Sequence, residues 1–183
     1  MSEVNDMKKW WILVLASLVA LTVYFTLERN DLFYVEVTIP SSLFISDINE
    51  EELISSSEKE GILVTKHEDG SMTYRMNRLK HYEKKAEYKN IILHTIQDII
   101  ADDEYYEPIY DVTHNKSLNQ FTFFIDKSKS EGSLGLDRIV SLLIGMNAAL
   151  YQLYNGASLD NYHVNVRLQD KDTDEIISET TLP

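Results

Sequence analysis

The chain contains no cysteine. That absence removes disulfides, thiol catalysis, thiolate zinc sites and cysteine-held iron–sulfur clusters together. It also removes a lipoprotein leader, which needs a cysteine to acylate. An extracytoplasmic domain built this way rests on packing alone, and 44% hydrophobic residues supply the means. Three prolines and six glycines in 183 residues are too few for a disordered or wall-spanning linker. Basic residues are also scarce, with 17 Lys+Arg against 30 Asp+Glu and a formal charge of −13. Such a surface repels phosphate backbones, so nucleic acid is excluded as a partner.

Familiar catalytic spacings are missing as well. No Gly-x-Ser-x-Gly, His-Glu-x-x-His or phosphate-cradling glycine loop occurs, and none of His67, His81, His94, His114 and His163 lies four residues from another. Ser56 and Lys59 formally make Ser-x-x-Lys, but on a short polar segment with no apolar pocket around it. The sequence therefore specifies no catalytic residue, no cofactor and no metal centre.

What is present begins with a long apolar run. Trp10 to Leu27 is 18 residues without charge, proline or glycine. As a helix it reaches roughly 27 Å, close to the hydrocarbon thickness of a bilayer. Trp10 and Trp11 stand at one end, Tyr24 and Phe25 near the other, as interfacial aromatics do. No small-residue cleavage site follows Tyr24, so the run reads as an uncleaved signal anchor rather than a removed leader. Lys8 and Lys9 precede it and only Arg29 follows closely, so the basic flank keeps the N-terminus cytoplasmic. Residues 1–9 are then a cytoplasmic stub, 10–27 a transmembrane segment and 28–183 an extracytoplasmic domain. Because Glu3, Asp6, Lys8 and Lys9 cancel, the whole −13 belongs to that domain.

Periodicity divides the domain. Residues 32–39 are β-branched and aromatic and end at Pro40, a strand with a stop that begins only four residues beyond the run. Asp47 is a candidate N-cap for a helix over 47–60, with Glu50, Glu51 and Glu52 in its first turn. Asp69-Gly70 between two partly alternating stretches marks a hairpin over 61–77. A long helix follows over 78–103, with Leu79, Tyr82, Ala86, Leu93, Ile96 and Ile100 recurring at steps of three and four as its apolar stripe. Its basic start and acidic end oppose the helix dipole, so tertiary packing must hold it. Strands are expected at 108–113 and 120–126, then a core helix over 134–154 presenting Leu136, Ile139, Leu143, Met146, Leu150 and Leu153, a face widened by Leu142, Ile144, Ala148 and Ala149, and a closing hairpin of 162–168 with 175–180. Three hairpins and three helices predict an α+β domain in two layers, one antiparallel sheet of about seven strands covered by about three helices.

Two stretches deserve weighing as sites. Asp170, Asp172 and Asp174 alternate as carboxylates do in calcium loops, but Glu175 stands where such a loop needs glycine and no bidentate glutamate follows at the required distance. A solvated hairpin turn accounts for them equally. Tyr105 and Tyr106 belong to an aromatic set with Tyr110, Phe121, Phe123 and Phe124; they are core residues unless their loop projects them as binding anchors. Tyr151 and Tyr154 carry the same ambiguity.

The stretches "VEVTIPSSLF", "EDGSMTYRMNRLKH", "YQLYNG" and "VRLQDKDTDEIIS" resemble a group of uncharacterised, lipoprotein-like extracytoplasmic proteins of Gram-positive bacteria. The resemblance spans most of residues 34–180 and implies an extracytoplasmic location and a small α+β domain. It implies no activity, and this chain departs from it in lacking the acylated cysteine. The expected function is thus a membrane-anchored, non-enzymatic binding or accessory domain, attached through residues 10–27 and facing a protein partner in the envelope. A small hydrolase using Asp, Glu or His and a calcium-responsive surface module remain the alternatives.

Overall fold

The computed structural model describes residues 15–23, 33–44, 49–102, 104–130 and 135–182, and the chain divides into two units, Met1–Val35 and Glu36–Pro183. In the first, residues 15–23 form helix α1. Its one described threonine, Thr22, turns its hydroxyl back onto the carbonyls of Leu18 and Val19 at 3.0 and 2.9 Å, so the helix presents no free polar group there. Residues 10–14 and 24–27, the ends of the apolar run, lie outside the described residues. Among the described residues no helix is long and apolar enough to cross a membrane.

The second unit is α+β, and its strands form two sheets. The first sheet has the order β1-β3-β2, from β1 (Tyr34–Ile39), β2 (Leu63–Lys66) and β3 (Met72–Asn77). Here β2 and β3 are the antiparallel hairpin that Asp69-Gly70 signals, with Lys66 opposite Met72. Gly70 takes φ +80°, and the Asp69 carboxylate accepts from the backbone N–H and hydroxyl of Ser71 at 2.9 and 2.7 Å. The hydroxyls of Thr38 and Thr73 meet at 2.9 Å and tie β1 to β3. Helix α2 (Glu50–Lys59) is capped by Asn49, whose side chain accepts from the Glu52 N–H; the expected cap, Asp47, lies outside the described residues.

Helix α3 (Arg78–Ala101) leads to the second sheet, of order β4-β5-β6-β7, made by β4 (Ile109–His114), β5 (Gln120–Ile125), β6 (Val164–Asp170) and β7 (Ile176–Leu182). Between β5 and β6 come a single turn, α4 (Lys127–Ser130), and helix α5 (Leu136–Tyr154). The expected single antiparallel sheet of seven strands is therefore corrected to sheets of three and four. One pair, β5 with β6, is parallel. The reason is connectivity: α5 is a helical crossover that returns the chain to the end from which β5 started, and such a crossover produces parallel neighbours. Hairpin signals report local pairing only. Which hairpins share a sheet is decided by contacts distant in sequence.

The two long helices lie antiparallel, since His81 near the start of α3 stacks on Tyr154 at the end of α5. Both expected faces hold in part: Ile96 on α3 and Ile144, Ala148, Ala149 and Leu153 on α5 are buried, and the rest of each stripe is displaced. On α3, Leu79 is 70% exposed and Tyr82 and Ile100 are also outside, while Ile92, Ile96 and Ile99 are buried. The inward row continues toward the helix start through Tyr88, Lys84 and His81, residues whose apolar bodies pack while their polar tips disguise them. On α5, Ile139 is 55% exposed and Leu142 and Leu143 are nearly as open. The buried residues are Val140, Ile144, Leu153 and Tyr154 together with Asp137 and the small Ser141, Gly145, Ala148 and Ala149. Close approach to the sheet selects small residues here. A Cβ on Gly145 would stand 2.8 Å from Leu182 Cδ1 and 3.0 Å from Val166 Cγ2.

Candidate functional site

Between α2, α3, the first sheet and the end of α5 lies a cavity of about 270 Å³. Each wall has a local origin. Tyr74 alternates with Met72 and Met76 on the buried face of β3. Tyr88 lies one turn beyond Lys84 on α3, and Tyr154 is the last residue of α5, where the chain stops at Asn155-Gly156. Ile39, Leu43, Phe44, Leu53, Ile62 and Leu150 complete an apolar lining, with Glu60 and Lys84 at its polar side.

The three phenols form the distinctive chemistry. Tyr88 and Tyr154 rings stand 5.2 Å apart, and His81 stacks on Tyr154 at 5.9 Å. Burial pushes the Tyr88 hydroxyl up to about 12, with the Glu87 and Glu60 charges adding to it. Tyr74 is likewise raised to about 12 by burial and by Tyr88. Tyr154 is raised further, again chiefly by burial. All three are therefore protonated donors at any physiological pH. The Tyr74 hydroxyl reaches only the Met72 sulfur, at 3.8 Å. Among the described residues the Tyr88 and Tyr154 hydroxyls have no hydrogen-bond partner in the protein.

The charged groups are already committed. Glu60 accepts from Lys80 at 3.0 Å and from Lys84 at 3.1 Å, and those bonds hold its carboxyl below the ordinary range. Lys84 loses some cationic character to burial, but its bonds to Glu60 and Glu87 more than restore it. His81 is pushed down by desolvation against a bond to the Tyr154 backbone, and is neutral at pH 7. Ser56 and Ser57 donate their hydroxyls to the Leu53 carbonyl at 2.9 and 2.8 Å, so neither is an activated nucleophile. The formal Ser56–Lys59 spacing brings no catalytic pair together. The cavity holds donors and apolar walls, without a free acid, base or nucleophile.

The residues singled out by sequence lie elsewhere. Tyr105 and Tyr106 meet edge to face at 4.9 Å in the turn before β4, where the Asp102 carboxylate accepts from the Tyr105 N–H. Tyr105 is 65% exposed and Tyr106 is half-buried. Of their aromatic set, Phe121 and Phe123 are core, while Tyr110 is exposed with the Lys171 ammonium 5.9 Å from its ring. The aspartates of the last hairpin are spent on its turn. Asp170 accepts from the hydroxyl and N–H of Thr173 and from the N–H of Asp172, which hold its carboxyl low. Asp172 pairs with Lys171, and Asp174 accepts from Gln169. Among the described residues no group of three or more His, Asp or Glu side chains is placed to hold a metal ion.

The chain matches no protein-family model, no curated protein and no solved structure. No residue role is therefore carried over from elsewhere, and what the cavity does follows from its own chemistry. Of its three tyrosines only Tyr154 drew notice in the sequence. Tyr74 and Tyr88 come from a strand and a helix whose meeting no local signal announces.

Proposed function

We propose that this is a membrane-tethered, extracytoplasmic binding domain without enzymatic activity, and that the tyrosine-lined cavity is its ligand site. The observation that carries this reading is the pair of unbonded phenols, Tyr88 and Tyr154, donating into an apolar space whose charges are already paired. Support for the tether is the apolar run 10–27 with Lys8 and Lys9 ahead of it. At about 270 Å³ the cavity falls just below the usual range for ligand sites, roughly 300–1,000 Å³, so only a small molecule fits. The ligand class follows from the walls: a small, neutral, largely apolar molecule with one or two oxygen acceptors. A charged ligand is disfavoured, because the two charged residues of the lining, Glu60 and Lys84, already pair with each other. A role as accessory to a partner protein in the envelope is the natural context for such a tethered binder.

The test is co-purification. The full chain and a Tyr88→Phe/Tyr154→Phe variant are isolated from membranes, denatured, and the released small molecules identified by mass spectrometry. The expected result is a neutral, oxygen-bearing compound enriched with the natural chain about tenfold over the variant, as the loss of two modest hydrogen bonds requires. Equal recovery from both proteins refutes the site.

A further inference from the structure

Helix α2 forms one wall of the tyrosine cavity, yet it buries almost nothing in doing so. Of its ten residues only Ser57 is buried; Leu53 and Ile54 are half-buried and the other seven are exposed. Leu53, Ser56 and Ser57 face the cavity. Elements held by so little apolar burial lie at the low end of local stability, from which the lids of binding sites are drawn.

The two sides of α2 are fastened differently. Toward β2 the chain itself closes the gap. Gly61, at φ +77°, turns the chain from α2 toward the strand, the Ile62 N–H donates to the Ser57 carbonyl at 3.0 Å, and Glu50 pairs with Lys66. Toward α3 the fastening is by charge. The Glu60 carboxylate accepts from Lys80 at 3.0 Å and from Lys84 at 3.1 Å. Glu60 and Lys84 are also the charged residues of the cavity lining, so the join between α2 and α3 is itself a piece of the wall.

We propose that α2 is a lid hinged along β2 and latched to α3 by Glu60, and that a ligand enters and leaves the cavity when the Glu60 pairs break. This role rests on the reading of the cavity as a ligand site: the latch controls access to it. Release strands no charge on α3, because Lys80 and Lys84 each keep a partner one turn along, Glu83 at 3.6 Å and Glu87 at 3.1 Å. Ion pairs of this kind are individually weak and are screened by salt, so the latch is reversible. Access for an uncharged ligand is then set by ionic strength, a dependence that the ligand's own chemistry does not supply.

The absence of cysteine lets a single introduced thiol report on the lid. In the full chain, Ser57→Cys places a near-isosteric thiol on the cavity side of α2, and Val112→Cys places one in the core of the four-stranded sheet as a control. Labelling by N-ethylmaleimide is followed by intact mass; the reagent is uncharged, so salt acts on the protein and not on the encounter. Raising salt from about 0.01 M to about 1 M shortens the screening length from about 30 Å to about 3 Å. That change is expected to speed labelling of Ser57→Cys about threefold or more. Adding Glu60→Gln is expected to give a similar gain at low salt and to remove most of the salt response, while Val112→Cys stays slow throughout. Ile39→Cys, on the β1 wall of the cavity, is expected to follow Ser57→Cys and replaces it if losing the Ser57 hydroxyl bond to Leu53 disturbs α2. The latch is overturned if Glu60→Gln leaves low-salt labelling unchanged, or if both cavity thiols label from the outset as fast as an exposed one. Acceleration of Val112→Cys in step with them overturns it as well, because the opening is then global. Equal small-molecule recovery from the Tyr88→Phe/Tyr154→Phe variant refutes the ligand site without touching these rates, so the two failures are told apart.

Discussion

The seat of α5 on the four-stranded sheet and the tyrosine cavity at the end of the same helix are opposite solutions to one packing problem. At Gly145 the helix comes so close to β6 and β7 that an added methyl group would stand 2.8 Å from Leu182 Cδ1 and 3.0 Å from Val166 Cγ2. A few turns on, at Leu150 and Tyr154, it stands off far enough to leave about 270 Å³ open. At the seat the small residues Ser141, Gly145 and Ala148 are buried alongside Val140 and Ile144, while Ile139, Leu142 and Leu143 are left outside. At the cavity, large aromatics turn inward and keep their polar tips unbonded. Position inside or outside therefore tracks the distance between elements, and hydropathy follows only in part. Stability concentrates in the seat, and the groups free to bind concentrate in the cavity.

The largest test of this contrast is at Gly145. Gly145→Val is expected to destabilise the protein by about 1–3 kcal/mol, the usual range for overpacking a filled core. In a domain of this size that lowers Tm by about 2–4 °C per kcal/mol. Gly145→Ala is expected to cost less, because Leu182 Cδ1 is the movable end of a side chain and alanine returns about 1 kcal/mol of helix propensity. Thermal unfolding of the three proteins checks both statements. A valine tolerated without loss removes the close seat and with it the contrast.

How far the sequence carries this picture depends on the range of each signal. Asp69-Gly70 and Asn155-Gly156 announce a hairpin and a helix end, and both appear where expected, because a positive φ or a local side-chain bond is settled within a few residues. The helices at α3 and α5 are legible from their spacing, but their buried faces only in part. Apolar identity correctly points to Ile96, Ala148 and Leu153 but also to Leu79, Ile139 and Leu143, which are exposed, while it passes over Tyr88 and Gly145. The division into two sheets and the parallel pair are set by the α5 crossover. The cavity joins Tyr74, Tyr88 and Tyr154 across three elements, so no window of sequence contains it.

A second, smaller test uses pH. Desolvation keeps the folded-state pKa of His81 below its ordinary value near 6.5, so the unfolded chain takes up a proton there before the folded one does. Stability supplied by neutral His81 is fully present above the unfolded value and falls as pH drops from there toward the lowered folded value. Glu60 acts lower. Its depressed pKa gives stability above the ordinary carboxylate range, lost only as pH falls through the folded value. Between pH 7 and 5 the decline in Tm therefore reports mainly on His81. His81→Phe, which keeps a ring against Tyr154, is expected to flatten it. An unchanged slope would detach His81 from the buried tyrosine stack.

The smallest expected effect is the most telling. Tyr88→Phe and Tyr154→Phe each remove one hydroxyl that bonds to nothing in the protein among the described residues. A hydroxyl that had given up water for an internal partner would leave a cost of about 0.5–1.5 kcal/mol when removed. One that opens onto a cavity within reach of water gives up no internal bond, so its loss is expected to leave stability within about 0.5 kcal/mol of the natural protein. Chemical denaturation measures this directly. A loss of 1 kcal/mol or more in either variant would mean that the hydroxyl is structural. Neutral stability combined with lost small-molecule retention is the result that a binding site requires, because only a ligand then accounts for keeping two phenols where phenylalanine would fold as well.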